Sequence, residues 1–148
     1  MTPNKLLAQG GYSYLTEDGL LAQGSVPPTN VALPFDTIVL AAQEHQFQMP
    51  EFTGEVIYAP LNDSGPPPTL AERELIKQTA SRVARRIRAE RRVLVTCHQG
   101  RNRSGVIAGL ALVELGLPGP RAAERIKRIR NGLTNRYFHE MVVEGRRP

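Results

Sequence analysis

Cys97 and Arg103 are separated by His98-Gln99-Gly100-Arg101-Asn102 and followed by Ser104-Gly105. A cysteine thiolate is a strong nucleophile, and the planar fork of a guanidinium can hold two oxygens of one phosphoryl group. The short apolar run Val93-Leu94-Val95 precedes the cysteine, and a long apolar stretch follows Ser104. The segment therefore reads as a strand, a tight polar loop, and the start of a buried helix. Successive backbone N–H groups in such a loop converge on one point, and the helix dipole adds positive potential there. A thiol at the mouth of that field is favoured as the thiolate. Gly100 lets the backbone curl without a Cβ in the way. Nucleophile, amide cradle and bidentate cation together describe a phosphoryl-transfer site without a metal. The plainer reading, a buried structural cysteine at a strand end, explains Cys97 but not Gly100, Arg103 and Ser104 in register with it.

Such chemistry needs an acid to protonate the leaving oxygen and a base for the attacking water. Asp63 is the candidate. It lies in Leu61-Asn62-Asp63-Ser64-Gly65-Pro66-Pro67-Pro68, 34 positions before Cys97, where a glycine and three prolines exclude helix and strand. Asp-Ser-Gly also favours turns, so a turn or capping role for Asp63 stands beside the catalytic one. Asp36 and Glu55 flank strands and are less suitably placed. His98 reads as a solvent-facing loop residue, and Arg101 either makes the loop more cationic or points to solvent. His45 and His139 have no neighbours that suggest a metal site, so neither metal nor cofactor is expected.

The elements that must position these residues follow from periodicity and punctuation. Tyr12 to Leu15 and Leu20 to Ala22 form a hairpin with Asp18-Gly19 near its turn. Pro27, Pro28 and Pro34 leave room for at most a short helix after it. Strands are predicted at 37–41 and at 55–59, the second ended by Pro60. Thr69 with Glu72 makes a capping box for a helix to about Ala89, with Ile76, Ala80, Val83 and Ile87 inward. Apolar residues surround nearly the whole circumference of the helix at 104–115, which predicts deep burial. Two further helices are predicted at 120–130 and 135–144. A helix between strands implies an α/β fold with parallel central strands flanked by helices.

Composition bounds the rest. The 148 residues, 41% hydrophobic and 22% charged, fit one globular domain at 12–148 with a short N-terminal tail at 1–11. No apolar run is long enough for a membrane span, and the N-terminus lacks the apolar stretch of a secretory signal. A lone cysteine forms no internal disulfide and fits a reducing, cytoplasmic setting. The net charge of +5, with 16 arginines among 19 basic residues, suits an anionic partner or simply solubility. The arginines at 82–92 read as a solvated helix face that complements the helix dipole, ahead of a nucleic-acid site, since no aromatic platform accompanies them.

The Cys97-to-Ser104 segment resembles the Cys-x5-Arg-Ser signature of cysteine-dependent protein phosphatases, above all the small dual-specificity group. The resemblance spans about residues 12–143, including the hairpin, the Asp-bearing loop, and Asn135 with Phe138 at the start of the last helix. It implies a phosphocysteine on Cys97, substrate and transition-state binding by Arg103, and stabilisation of the departing thiolate by Ser104. It also implies loop contacts to phosphate from His98, Gln99, Gly100, Arg101 and Asn102, with Asp63 as general acid. One departure is Thr96, where the family usually has His; its hydroxyl offers a hydrogen bond but no charge. The chain is short, with no large insertions to build a deep pocket, so a shallow site that accepts phosphotyrosine and phosphoserine or phosphothreonine is expected, in a monomer. The cationic loop keeps phosphoinositide and RNA 5′-phosphate substrates open, as well as a catalytically weak phosphate-binding module.

Overall fold

The computed structural model describes residues 11–63 and 66–146. Residues 1–10 of the tail expected at 1–11, Ser64-Gly65 and the last two residues fall outside them. Five strands form one sheet: β1 (Tyr12–Tyr14), β2 (Leu21–Gly24), β3 (Thr37–Ala42), β4 (Glu55–Leu61) and β5 (Val93–Thr96), in the order β1-β2-β5-β3-β4. β2, β5, β3 and β4 are parallel, and β1 pairs antiparallel with β2 through the predicted hairpin. The described residues also form four helices: α1 (Leu70–Arg88), between β4 and β5, then α2 (Arg103–Glu114), α3 (Gly119–Arg130) and α4 (Arg136–Val143). None among the described residues is long and apolar enough to cross a membrane.

Alternation along the strands divides the core in two. Val39, Ala41, Val93 and Val95 face the helices and pack with Ile76, Val83, Ile107 and Phe138. Ile38, Leu40 and Leu94 point the other way, to Leu33, Phe35, Met49 and Tyr12. That second face carries irregular chain, and no helix forms among the prolines at 27–34. α2 is buried on nearly all sides, with Val106, Ile107, Ala108 and Ala111 fully inaccessible. Its placement at the centre of the helical layer is what its all-round apolar surface dictates.

Two boundaries differ from expectation for physical reasons. β4 does not stop at Pro60 but runs to Leu61. It is an edge strand, and a proline that lacks an N–H is tolerated where no neighbour needs that donor. A short 3-10 turn, Gln43–His45, extends β3, and Gln46 fixes it by donating to the carbonyls of Leu40 and Ala42.

The register carries the functional consequence. Gly24, Thr96 and Leu40 lie side by side on β2, β5 and β3. The segments that leave the carboxyl ends of β5, β3 and β4 therefore emerge along one edge, and they contain Cys97, Glu44 and Asp63. In open parallel sheets this edge is where ligands bind.

The arginines at 82–92 are largely structural on the opposite end. Arg86 donates to Glu55 at 2.9 Å through two nitrogens, and Arg92 pairs with Asp36 at 3.3 Å. Asp36 and Glu55, set aside as acids from sequence, are thus engaged far from the loop. At the start of α1 the capping box forms as predicted, with Thr69 Oγ1 accepting from the Glu72 N–H and the Glu72 carboxylate accepting from the Thr69 N–H. Thr69→Ala is expected to lower stability by about 1 kcal/mol, read as a shifted urea midpoint with unchanged slope. An unchanged midpoint would show that the cap contributes nothing.

Candidate active site

β5 is central in the sheet and ends at Thr96; α2 begins at Arg103. The chain between them has its carbonyls tied down from outside. Arg130, in the last turn of α3, donates to the Gly100 carbonyl through Nε at 3.1 Å and to the Gln99 carbonyl at 3.3 Å. Gln23 Nε2, on β2, lies 3.2 Å from the Gly100 oxygen and 3.4 Å from that of Arg101. The Leu133 N–H also donates to Arg101. In a trans peptide the C=O and the following N–H point in opposite directions. With the carbonyls of 99, 100 and 101 turned outward, the N–H groups of Gly100, Arg101 and Asn102 face the inside of the loop. Gly100 has φ +68°, and a Cβ there would sit 2.5 Å from the Gly24 backbone and the Arg130 guanidinium. The position therefore admits glycine alone. α2 starts with no side-chain cap from Asn102, so its first N–H groups add to the same donor field.

Cys97 is buried and its Sγ lies 3.2 Å from Ser104 Oγ. Gln23 also donates to that oxygen, at 3.0 Å, which leaves the Ser104 hydroxyl proton free to point at a thiolate. Arg103 is 7% exposed. Two of its nitrogens bind the Glu44 carboxylate at 2.5 and 2.7 Å, and one also donates to the Leu61 carbonyl at 3.1 Å. Its Nε is buried and has no hydrogen-bond partner among the described residues. Burial works against the Arg103 charge, but the bonds to Glu44 and the charges of Cys97, Glu44 and Asp63 outweigh it and raise its pKa further. Arg130 is pushed the other way: burial and the nearby Arg101 lower its pKa, and the Cys97 charge opposes them.

Asp63 stands at the rim. Its Oδ1 accepts from Asn135 Nδ2 at 2.7 Å, and Asn135 is itself the N-cap of α4. The Asn135 N–H donates to Asn102 Oδ1 at 2.9 Å, which ties the Asp-bearing loop, the α4 terminus and the Cys97 loop together. With Thr134, Arg136 and Tyr137 these residues line an open depression of about 390 Å³. Arg101 is exposed.

The hydrogen bond expected of the Thr96 hydroxyl goes to the Val39 carbonyl, at 2.8 Å across the sheet. Two expectations need revision. His98 is not solvent-facing: it is half-buried, with Nδ1 2.9 Å from His45 Nε2. His45, isolated in the sequence, accordingly has His98 and Glu44 as neighbours. Glu44, Gln23 and Arg130 escaped sequence reading altogether. A polar residue inside the apolar strand Leu21-Ala22-Gln23 was the available signal for Gln23. For Glu44 it was an acid directly after a parallel strand.

No protein-family model and no curated protein matches the chain by sequence. Solved structures do match by shape. Tk-PTP in its active form has a TM-score of 0.73 at 22% identity, over 90% of this chain and 94% of that one. Human DUSP28 has a TM-score of 0.74 at 18% identity, over 92% and 93%. PTPMT1 in complex with PI(5)P has 0.68 at 17%, over 90% and 92%. These likenesses establish the fold as that of the small dual-specificity and tyrosine phosphatases.

Hydrogen bonding from Arg103 holds the Glu44 carboxyl at about 2, against 4.5 as its ordinary value. Because the folded value is depressed, the pair stabilises the fold fully above pH 4.5, and that contribution is lost as pH falls towards 2. The stability difference between the native protein and Glu44→Gln, from urea unfolding at a series of pH values, should therefore shrink across that window. A difference that stays flat across it would contradict the pairing.

Proposed function

We propose that the protein is a cysteine-dependent phosphatase that hydrolyses phosphomonoesters, phosphotyrosine first among them, through a phosphocysteine intermediate. The observation that carries this reading is the buried Arg103 guanidinium beside Cys97, held on two nitrogens by Glu44 and with Nε left unpartnered. A buried N–H without an acceptor is costly, and an oxyanion bound in the loop supplies one. The same anion caps α2 and accepts from the inward N–H groups.

In the proposed reaction the Cys97 thiolate attacks phosphorus in line with the ester oxygen. The S–P bond forms as the P–O bond breaks, and the leaving oxygen takes a proton from Asp63. Asp63, now a carboxylate, removes a proton from the water that attacks phosphocysteine. The S–P bond then breaks, inorganic phosphate leaves, and the Ser104 hydroxyl donates to the thiolate that reappears. Arg103 and the loop amides hold the equatorial oxygens through both steps. Asn135 keeps Asp63 over the site without burying it. Thr96, whose hydroxyl is bonded to the Val39 carbonyl, has no step in this scheme.

A second reading, a phosphoinositide substrate, is favoured by one observation. Arg101 is exposed within the loop itself, and Arg136 is exposed where the depression beside Asp63 opens. Both suit a headgroup carrying more than one phosphate.

Turnover of an aryl phosphate is expected in the native protein and absent in Cys97→Ser. Asp63→Asn should lower kcat by about 10²- to 10⁴-fold, with the smallest effect on substrates whose leaving group needs no proton. If the native protein is as inactive as Cys97→Ser yet still binds phosphopeptide, it is a binding module and not an enzyme. Comparing a phosphotyrosine peptide, a phosphothreonine peptide and phosphoinositides under the same conditions decides between the two substrate readings.

A further inference from the structure

We infer that Glu44, His45 and His98 form a binding site for a divalent transition metal, with Zn²⁺ as its natural probe, next to the Cys97 loop. The ligand atoms of these three residues, one from each, lie within 4.8 Å of one another. His45 Nε2 and His98 Nδ1 are 2.9 Å apart, their rings are within 9° of parallel, and the centroids are 5.1 Å apart. Rings so arranged meet nitrogen to nitrogen. Between neutral imidazoles this is a hydrogen bond in which one proton fills the gap. Two Zn–N bonds of about 2.0–2.1 Å at a tetrahedral angle span roughly 3.3 Å between nitrogens. A metal ion can thus replace the shared proton after the rings part by a few tenths of an ångström and tilt. Two imidazoles and one carboxylate, with the fourth position left to solvent, form a donor set that suits zinc.

The supports are in place. Gln46 pins the 3-10 turn that carries Glu44 and His45, and His98 directly follows the buried Cys97. Glu44 binds Arg103, but its side chain is 46% exposed, so the carboxylate has lone pairs open to an ion on its outer side. The site stands on these three residues and not on what Cys97 does, so it survives or fails apart from the phosphatase reading.

Zinc titration of Cys97→Ser removes the thiolate as a rival ligand. Calorimetry in that background should show one ion bound per chain, with affinity at least about tenfold weaker in His45→Asn and in His98→Asn. Cobalt in the same protein should give the visible bands of a tetrahedral site without a thiolate charge-transfer band. To guard against variants that misfold, histidine ring signals followed by NMR in the Cys97→Ser protein provide a second reading. Zinc should shift those of His45 and His98 together and leave His139 unmoved. No saturable binding, or binding that neither histidine substitution weakens, would overturn the proposal. So would a zinc titration that moves neither ring.

Discussion

Peptide planarity, applied to one loop, sets the terms for the rest of the site. Three consecutive carbonyls, at Gln99, Gly100 and Arg101, are claimed from outside by Arg130, Gln23 and Leu133. The N–H groups that follow them then face inward, because a trans peptide allows nothing else. This arrangement gathers positive potential beside Cys97 before any ligand arrives. It also explains why residues as distant in sequence as 23 and 130 matter to a loop at 97–103. Gly100 is the hinge of the device, since its φ of +68° and the lack of space for a Cβ exclude other side chains.

Charge is arranged on the same principle. The buried Arg103 cation is stabilised by Glu44, itself half-exposed, so one partner is desolvated and the other remains wet. A pair fully buried on both sides would bear a larger desolvation cost. Arg130 is a second, partly buried cation beside the loop, and it donates to the carbonyls of Gln99 and Gly100 and to the Ser13 hydroxyl. The acids at the other end of the sheet, Asp36 and Glu55, are engaged by Arg92 and Arg86 and take no part. Among the arginines, Arg86 and Arg92 thus hold the fold at one end, and Arg103 and Arg130 bond the elements around the Cys97 loop at the other.

How much of this was legible in the sequence depended on whether the signal was local. The strand–loop–helix around Cys97, the capping box at Thr69 and Glu72, the inward face of α1 and the all-round burial of α2 rest on neighbours in the chain, and each was readable. Strand β4 passing Pro60 was not, because whether a proline is tolerated depends on which strand lies at the edge. Glu44, Gln23 and Arg130 were hidden for the same reason: their roles exist only once β2, β3 and α3 are brought against the loop. His98 and His45 are 53 positions apart, and no spacing rule links them. Thr96 was visible as an oddity, but its partner, the Val39 carbonyl, could be identified only from the parallel pairing of β3 with β5.

The proposed covalent role of Cys97 ties loop, arginine and acid into one mechanism, and it can be tested by catching the intermediate. The protein is mixed with an aryl phosphate, denatured within the first turnover, digested and analysed for phosphopeptides by mass spectrometry. A phosphoryl group on Cys97 is expected, in a fraction that rises in Ser104→Ala because breakdown of the intermediate slows. Steady turnover with no phosphoryl group on Cys97, or with the group on another residue, would contradict the assignment.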